Sequence, residues 1–393
     1  MEALLREPIK AGRLSIIAPD GQLHILQGAV EGPEARIKIA DERLLRRMLV
    51  VPDLYVGEAY MEGMLTVEEG SLYDVLDFFA CNLMPRLHDA DAVVLPSAYQ
   101  NNVVGKARAN VAVHYDLNRT LFELFLDRDL QYSCAYFTND RESLEEAQSN
   151  KKKRVAAKLL LKPGMRVLDI GSGFGGLALY LAREFAVEVV GLTLSEEQWR
   201  VAQDRAKAAG LDTKVAFKLL DYREESGCYD RIVSVGMFEH VGRSHHDEFF
   251  RKIRELLTED GVCLLHSIGR MAPPGATSPW LIKYIFPGGY APSLSETLAA
   301  AERAALWITD VEILRLHYAE TLRRWHQKFQ SNRDQVRSLY DEQFCRMWEF
   351  YLQLCEVGYR RLKWMVFQAQ IAKSLATVPL TRTYLTRWDI TAA

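Results

Sequence analysis

The run Met165-Arg166-Val167-Leu168-Asp169-Ile170 leads straight into Gly171-Ser172-Gly173-Phe174-Gly175-Gly176, and no other stretch of the chain restricts its fold so strongly. An apolar strand that carries an acid near its end and enters a glycine-rich turn is suited to holding a nucleoside cofactor. Gly171, Gly173 and Gly175 permit positive φ and let bare backbone N–H groups approach a ligand, and Leu177 to Glu184 reads as the helix that follows.

Glycines 171, 173 and 176 also satisfy G-x-G-x-x-G, so the turn alone is compatible with a dinucleotide. Two features favour S-adenosylmethionine (SAM) instead. Asp169 stands two residues before the first glycine, where SAM-dependent methyltransferases keep a carboxylate near the methionine amino group. The next strand, Val187 to Leu194, ends Thr193-Leu194-Ser195 and so lacks the terminal acid that would bind an NAD ribose. A turn that merely joins strand to helix is the plainer alternative, outweighed by strand, acid and helix in order.

At 393 residues the chain has room for two domains, and a formal charge of -3 gives no global sign of a nucleic-acid partner. The first hundred residues are acidic and the C-terminal third is basic. The tract Lys151-Lys152-Lys153-Arg154 reads first as a solvated helix end and second as a contact for anionic phosphates or lipid headgroups. Cysteines 81, 134, 228, 263, 345 and 355 form no C-x-x-C pair and have no histidine at metal spacing, so no metal site or disulfide framework is expected. Met1 to Pro8 lacks a basic segment leading into an apolar one, and no apolar run approaches the roughly 18 residues of a membrane span. The expectation is a cytoplasmic chain.

Residues 13 to 40 alternate around Pro19-Asp20-Gly21 and Gly32-Pro33, which predicts a small β-meander. Helical spacing follows in Leu44, Leu45, Met48 and Leu49, and again in Leu72, Val75, Leu76 and Phe79 behind the N-cap candidate Ser71. A border near residue 100 separates an N-terminal α+β domain, 1–100, from a catalytic domain, 101–393. Val103 to Phe125 reads as helix, and from Met165 strands alternate with helices. The strands are expected at 165–170, 187–194, 214–219, 230–235 and 261–268, with two more at 307–316 and 376–386. This is an α/β, Rossmann-like chain with a mostly parallel, doubly wound, seven-stranded sheet. The stripe Tyr340, Phe344, Trp348, Tyr351, Cys355, Tyr359 has helical spacing and reads as core packing or an interface.

Ligands of such sheets bind at the carboxyl ends of the strands. Those ends hold the glycine turn, then Thr193-Leu194-Ser195 with Gln198, then Asp221-Tyr222, then Gly236 to Gly242, and finally His266-Ser267-Ile268-Gly269. Thr193, Leu194 and Gln198 suit a ribose or a methionine tail. Asp221 either accepts from an adenine amino group or caps the next helix. His240 reads as a satisfied loop or core histidine. Glu239 and His266, two titratable groups at neighbouring strand ends, are candidate acid/base residues.

Several ordered motifs together resemble the cyclopropane-fatty-acyl-phospholipid synthases, the SAM-dependent family that includes mycolic acid cyclopropane synthases. They are His114-Tyr115-Asp116, Tyr132-Ser133-Cys134-Ala135-Tyr136-Phe137, the glycine turn, Thr193-Leu194-Ser195, Gly236-Met237-Phe238-Glu239-His240-Val241-Gly242, Leu265-His266-Ser267-Ile268-Gly269, Phe286-Pro287-Gly288-Gly289-Tyr290, His317-Tyr318-Ala319 with Trp325, and Val378-Pro379-Leu380-Thr381-Arg382. The resemblance covers most of residues 110 to 390 and implies a class I SAM-dependent methyltransferase.

It further implies a cofactor set of Tyr132, Ser133, Asp169, Gly171, Gly173, Gly175, Thr193, Leu194, Gln198, Asp221 and Tyr222. A bicarbonate ion would be held by Cys134, Glu239, His266, Ile268 and Tyr318. The implied reaction is methyl transfer to the cis double bond of an unsaturated phospholipid acyl chain, followed by proton loss to bicarbonate and closure of a cyclopropane ring. Aromatic faces such as Tyr284, Phe286 and Tyr290 would steady the intervening cation. Methyl- or methylene-fatty-acid synthesis and small-molecule N-methylation are the alternatives within the family. The implied setting is peripheral contact with the inner membrane from the cytoplasm, through the N-terminal domain and the basic tracts. A homodimer is the candidate assembly, with no nucleic-acid partner.

Overall fold

The computed structural model describes residues 9–82 and 117–386, and the chain divides into two compact units. One unit holds residues 9–82 together with Gly275–Phe286 and Leu322–Trp364; the other holds residues 117–274, Pro287–Thr321 and 365–386. The stretch expected to stand alone as 1–100 is therefore completed by two segments from the second half of the chain. The border near residue 100 and the His114-Tyr115-Asp116 motif lie outside the described residues. Of the helix expected over 103–125, the described part is Arg119–Phe125.

In the first unit β1 (Ala11–Ile17), β2 (Leu23–Gln27), β3 (Val30–Ile39) and β4 (Leu65–Glu69) form a sheet in the order β2-β1-β3-β4. This is not the expected meander, because β3 leaves β2 after two residues and pairs in parallel with β1. Glycine makes the crossing sterically feasible: Gly28 N–H donates to the Gly12 carbonyl at 2.8 Å, and a Cβ on Gly28 would lie 2.5 Å from Ala11 N. The helix Leu72–Asn82 packs across β1 and β3, and the helix Glu342–Arg361 packs on Leu72–Asn82 and on Pro52–Met61. Trp348, Tyr351, Cys355 and Tyr359 are buried on that helix, and the Tyr340, Phe344 and Trp348 rings stack in series, so the aromatic stripe is core packing.

The second unit contains β5 (Arg166–Ile170), β6 (Glu188–Thr193), β7 (Val215–Leu219), β8 (Tyr229–Val235), β9 (Leu257–Arg270), β10 (Trp307–Ile313) and β11 (Trp364–Ala372). They form a seven-stranded sheet in the order β10-β11-β9-β8-β5-β6-β7. The ladders joining β5 to β6, β5 to β8, β6 to β7 and β8 to β9 are parallel, and β10 pairs antiparallel with β11. Successive residues feed opposite cores: Val167, Val189, Val233 and Leu264 pack on one face, Leu168, Leu192, Ile232 and Leu265 on the other. This is the doubly wound arrangement the alternating strands and helices predict. The last strand corrects the sequence reading, since it lies at 364–372, whereas 376–386 holds a 3-10 turn and the short helix Thr383–Thr386.

The basic tract is also corrected. It lies inside the helix Leu144–Leu159, where Lys151 is 0% exposed, Lys152 pairs with Asp129, and Arg154 forks onto Glu312 at 2.7 and 2.8 Å.

Candidate active site

β5 delivers Asp169 to the turn, and the turn is lashed to β6 because Gly171 and Ser172 N–H both donate to the Leu192 carbonyl, at 2.9 and 2.8 Å. Gly171 and Gly173 take φ of 81° and 54°. A Cβ on Gly173 would meet nothing within 4 Å, so bare backbone faces open space there. Asp169 is 1% exposed, and its Oδ2 has no partner among the described residues. Burial pushes its carboxyl up to about 7, against the pull of the Lys151 ammonium.

The turn forms one wall of a cavity that Tyr132, Ser133, Asp169, Gly171, Gly173, Thr193, Leu194, Gln198, Asp221 and Tyr222 also line. Every residue of the expected cofactor set is among them except Gly175. That glycine sits behind the turn at φ 81°, where a Cβ would strike Phe217 at 2.6 Å, so its part is close packing beneath the loop. Tyr132 is fixed edge-on between Phe122 and Phe125 of the helix Arg119–Phe125, at centroid distances of 5.5 and 5.9 Å. Thr193 Oγ1 donates to Gln198 Oε1 at 3.0 Å, while Ser195 caps the next helix by accepting from Gln198 N–H.

Asp221 meets one of its two expectations directly, since it accepts from Arg223 N–H at 3.0 Å and so caps the turn Tyr222–Glu224. The Arg223 guanidinium forks onto both carboxylate oxygens at 2.8 and 2.7 Å. Oδ1 thus accepts twice, and a lone pair remains on Oδ2 for a further donor in the cavity.

None of the five residues implied to hold bicarbonate is among those lining this cavity, although Cys134 and Glu239 are chain neighbours of Ser133 and His240, which are. Glu239, in the 3-10 turn after β8, is 8% exposed. Its Oε1 accepts the Ile268 N–H at 2.5 Å, and its Oε2 has no partner among the described residues. Burial, only partly offset by hydrogen bonds, raises its carboxyl to about 7. His266 stands two residues before Ile268 on β9, and burial lowers its imidazole to about 3. Gln368 Nε2 donates to His266 Nδ1 at 3.1 Å, so the proton of this neutral ring resides on Nε2. Cys134 follows Ser133, and burial pushes its thiol above the usual range. Ala135 N–H donates to Thr321 Oγ1 at 3.0 Å, tying the Cys134 loop to the helix His317–Ser331, which carries buried Tyr318 one turn earlier.

Sequence reasoning missed Gln131, Arg223, Met237 and His240, all of which line the cavity. His240 faces the cavity, and burial lowers its pKa to about 4. Adjacency was the available signal, because Gln131 precedes Tyr132-Ser133 and Arg223 follows Asp221-Tyr222.

These residues fit SAM. An orphaned buried acid suits the cofactor's ammonium, and the bare turn at Gly173 suits close approach to backbone. They also fit a small anion, for which a partnerless Glu239 oxygen in acid form and an imidazole N–H are donors. The sequence profile of the mycolic acid cyclopropane synthetase family matches residues 104–369. Escherichia coli (strain K12) cyclopropane-fatty-acyl-phospholipid synthase is 38% identical over 345 residues, 87% of this chain and 88% of that one. The chain belongs to this family.

Another relative, the tuberculostearic acid methyltransferase of Mycobacterium tuberculosis, is 38% identical over 322 residues, covering 77% of this chain and 75% of that one. Among solved structures, mycolic acid cyclopropane synthase CmaA1 complexed with SAH and CTAB matches with a TM-score of 0.65 at 35% identity. The match covers 67% of this chain and 97% of that one. Fold, family and cavity together make this chain a SAM-dependent methyltransferase, and the dinucleotide alternative falls away.

Proposed function

We propose that this family member methylates the cis double bond of an unsaturated phospholipid acyl chain and closes a cyclopropane ring, with the proton passing to bicarbonate. The observation that carries the reading is Glu239: a buried carboxyl, poised near neutrality, with one oxygen anchored to β9 and the other unpartnered beside the cofactor cavity.

A cis alkene is a weak nucleophile, so the rate depends on holding it in line with the methyl donor in a dry slot. When bound, SAM supplies an electrophilic methyl and bicarbonate a proton acceptor small enough for an apolar site. The chain's own residues do the holding. In this reading Asp169, Tyr132 and Ser133 receive the methionine end, Gly171 and Gly173 its backbone contacts, Thr193, Leu194 and Gln198 the ribose and tail, and Asp221 and Tyr222 the adenine. Cys134, Glu239, His266, Ile268 and Tyr318 surround the anion. An ionised Glu239 would repel it; in its acid form Glu239 donates a hydrogen bond, as does His266 Nε2–H.

The test is to incubate the protein with isotope-labelled SAM and vesicles rich in unsaturated phospholipid, then analyse the acyl chains by mass spectrometry. A gain of one methylene unit that resists hydrogenation supports the ring. Uptake of hydrogen at the new carbon supports methylene-fatty-acid synthesis instead. Label on an added amine and none on lipid contradicts both.

The same reading has the enzyme working as a homodimer on the cytoplasmic face of the inner membrane, with the unit containing residues 9–82 touching lipid. Its support is the bilayer location of the substrate. Among the described residues no helix is long and apolar enough to cross a membrane. Flotation of the whole chain with anionic vesicles tests it. Failure to float, in a preparation that methylates dispersed phospholipid, contradicts membrane attachment.

A further inference from the structure

A fully buried lysine without a carboxylate in ion-pair contact is rare, because removing an ammonium from water is costly unless its protons are well accepted. Lys151 is such a residue: it is 0% exposed, and its two acceptors among the described residues are both neutral. Nζ donates to Gln131 Oε1 at 2.5 Å and to Ser133 Oγ at 2.9 Å, and both acceptors belong to residues that line the cofactor cavity. One turn earlier on the same helix face, Gln148 Nε2 donates to the carbonyls of Gln131 and Ser133 at 3.2 and 2.9 Å. Asp127 Oδ1 accepts Gln131 N–H at 2.8 Å from the other side. The segment 131–133 is thus gripped through backbone and side chains alike, while Tyr132 between them is wedged by Phe122 and Phe125.

We propose that Lys151 is a positioning residue for the cofactor: its ammonium fixes the Gln131 and Ser133 side chains in the arrangement that receives the methionine end of SAM. The inference rests on the reading of Tyr132 and Ser133 as that wall of the site. A packing role alone would be met by an apolar chain of equal length, with no buried charge to accommodate. The charge is felt across the site, since the Lys151 ammonium opposes the burial-driven rise of Asp169 and adds to the fall of His266. Asp127, Asp129, Lys152 and Cys134 are the other ionisable groups acting on it.

The test is calorimetric binding of S-adenosylhomocysteine (SAH) to wild type, Lys151→Met, Gln131→Met and the double variant. Wild type must bind; no binding would sink the cofactor reading itself. Lys151→Met keeps the packing volume and should still fold, whereas its Kd for SAH rises roughly tenfold or more, the scale of losing hydrogen bonds to a charged group. A folded Lys151→Met variant with Kd within about threefold of wild type overturns the proposal. Should that variant not fold, Gln131→Met decides: weaker SAH binding supports the proposal and unchanged Kd overturns it. Where both fold, the double variant binding no worse than Lys151→Met shows that the lysine acts through Gln131, and strictly additive losses contradict that.

Discussion

Glu239 Oε1 accepts the Ile268 backbone N–H at 2.5 Å, so a side chain from the end of β8 fastens the end of β9. Two further bonds close the same corner: Gly236 N–H donates to the His266 carbonyl and Tyr290 N–H to the Glu239 carbonyl, each at 2.9 Å. The carboxyl is thereby fixed in place with one oxygen to spare. A group held this way can give or take a hydrogen bond without rearrangement, the preorganisation on which electrostatic catalysis depends.

Asp169 sets a pH dependence on cofactor binding. Its carboxyl lies at about 7 in the free protein, and the ligand's ammonium favours the ionised form. Below neutrality, binding must expel a proton. SAH affinity therefore falls on acidification, by up to about tenfold per pH unit, and levels off above about pH 8. Asp169→Asn should bind more weakly and lose this slope. Affinity that strengthens in acid would contradict the assignment.

The same shift, shared with Glu239, predicts how the ligand-free protein melts. A carboxyl raised from its ordinary value contributes stability below its unfolded pKa, lost as pH rises through about 7. His240, His246 and His266, lowered to about 4, 4 and 3, act in the opposite sense, but only up to the unfolded histidine value of about 6.5. Lys151, lowered to about 8, adds stability only above that pH. The difference between two proteins isolates one group: relative to wild type, Asp169→Asn should gain melting temperature as pH rises from about 4 to 7, because the wild type alone loses that contribution there. A difference that does not change with pH through this window would count against the raised Asp169 carboxyl.

Arg223 holds Asp221 by a two-point fork, and that orientation should matter for adenine. Wild type is expected to bind SAH at least about tenfold more tightly than its 6-deaminated analogue, which turns a carbonyl oxygen instead of an amino group toward Asp221. The preference should shrink in Arg223→Met and vanish in Asp221→Ala. Equal affinity of wild type for both ligands would remove Asp221 from the adenine site.

What the chain reveals in advance is what short-range chemistry determines. The strand, acid and glycine turn from Arg166 to Gly176 is local, and β5 to β10 follow from apolar runs bounded by turns. β11 was misplaced because no glycine or proline separates it from the helix before it; Lys363 makes the break at φ 49°, and the strand carries buried Gln368 and Gln370 among its apolar residues. The β1–β3 pairing was hidden because adjacent strands usually form hairpins, and only the glycines at 12, 28 and 32 hinted at a crossing. The completion of the first unit by residues 322–364 has no local signature, since helix faces pair by tertiary packing. In the site, Lys151 was lost inside a run of cations that reads as solvated, although one face of its helix is buried.

Gly57 tests that long-range packing. A Cβ there would lie 2.4 Å from Trp280 Nε1 and 2.8 Å from Phe350, which come from the two later segments of the first unit. Gly57→Ala should cost about 1–3 kcal/mol by overpacking, read as a lower melting temperature. SAH affinity should not change. An unaltered melting temperature would mean these elements do not close around Gly57 as described.

The most direct measurement is the turnover of Glu239→Gln, set beside its SAH affinity and its response to bicarbonate. The substitution keeps size, the Ile268 hydrogen bond and a donor toward the anion, but the amide cannot exchange a proton as the titratable carboxyl can. Turnover on unsaturated phospholipid vesicles should fall by roughly 10²–10⁴-fold, the scale of losing a positioned proton-transfer or orienting group. SAH affinity should stay within about threefold of wild type. Stripping bicarbonate from wild type should slow it, and adding bicarbonate back should restore the wild type but not the variant. A variant turning over within about threefold of wild type, or a wild type verified free of the ion and indifferent to it, would contradict the roles of Glu239, His266 and Tyr318 in proton removal.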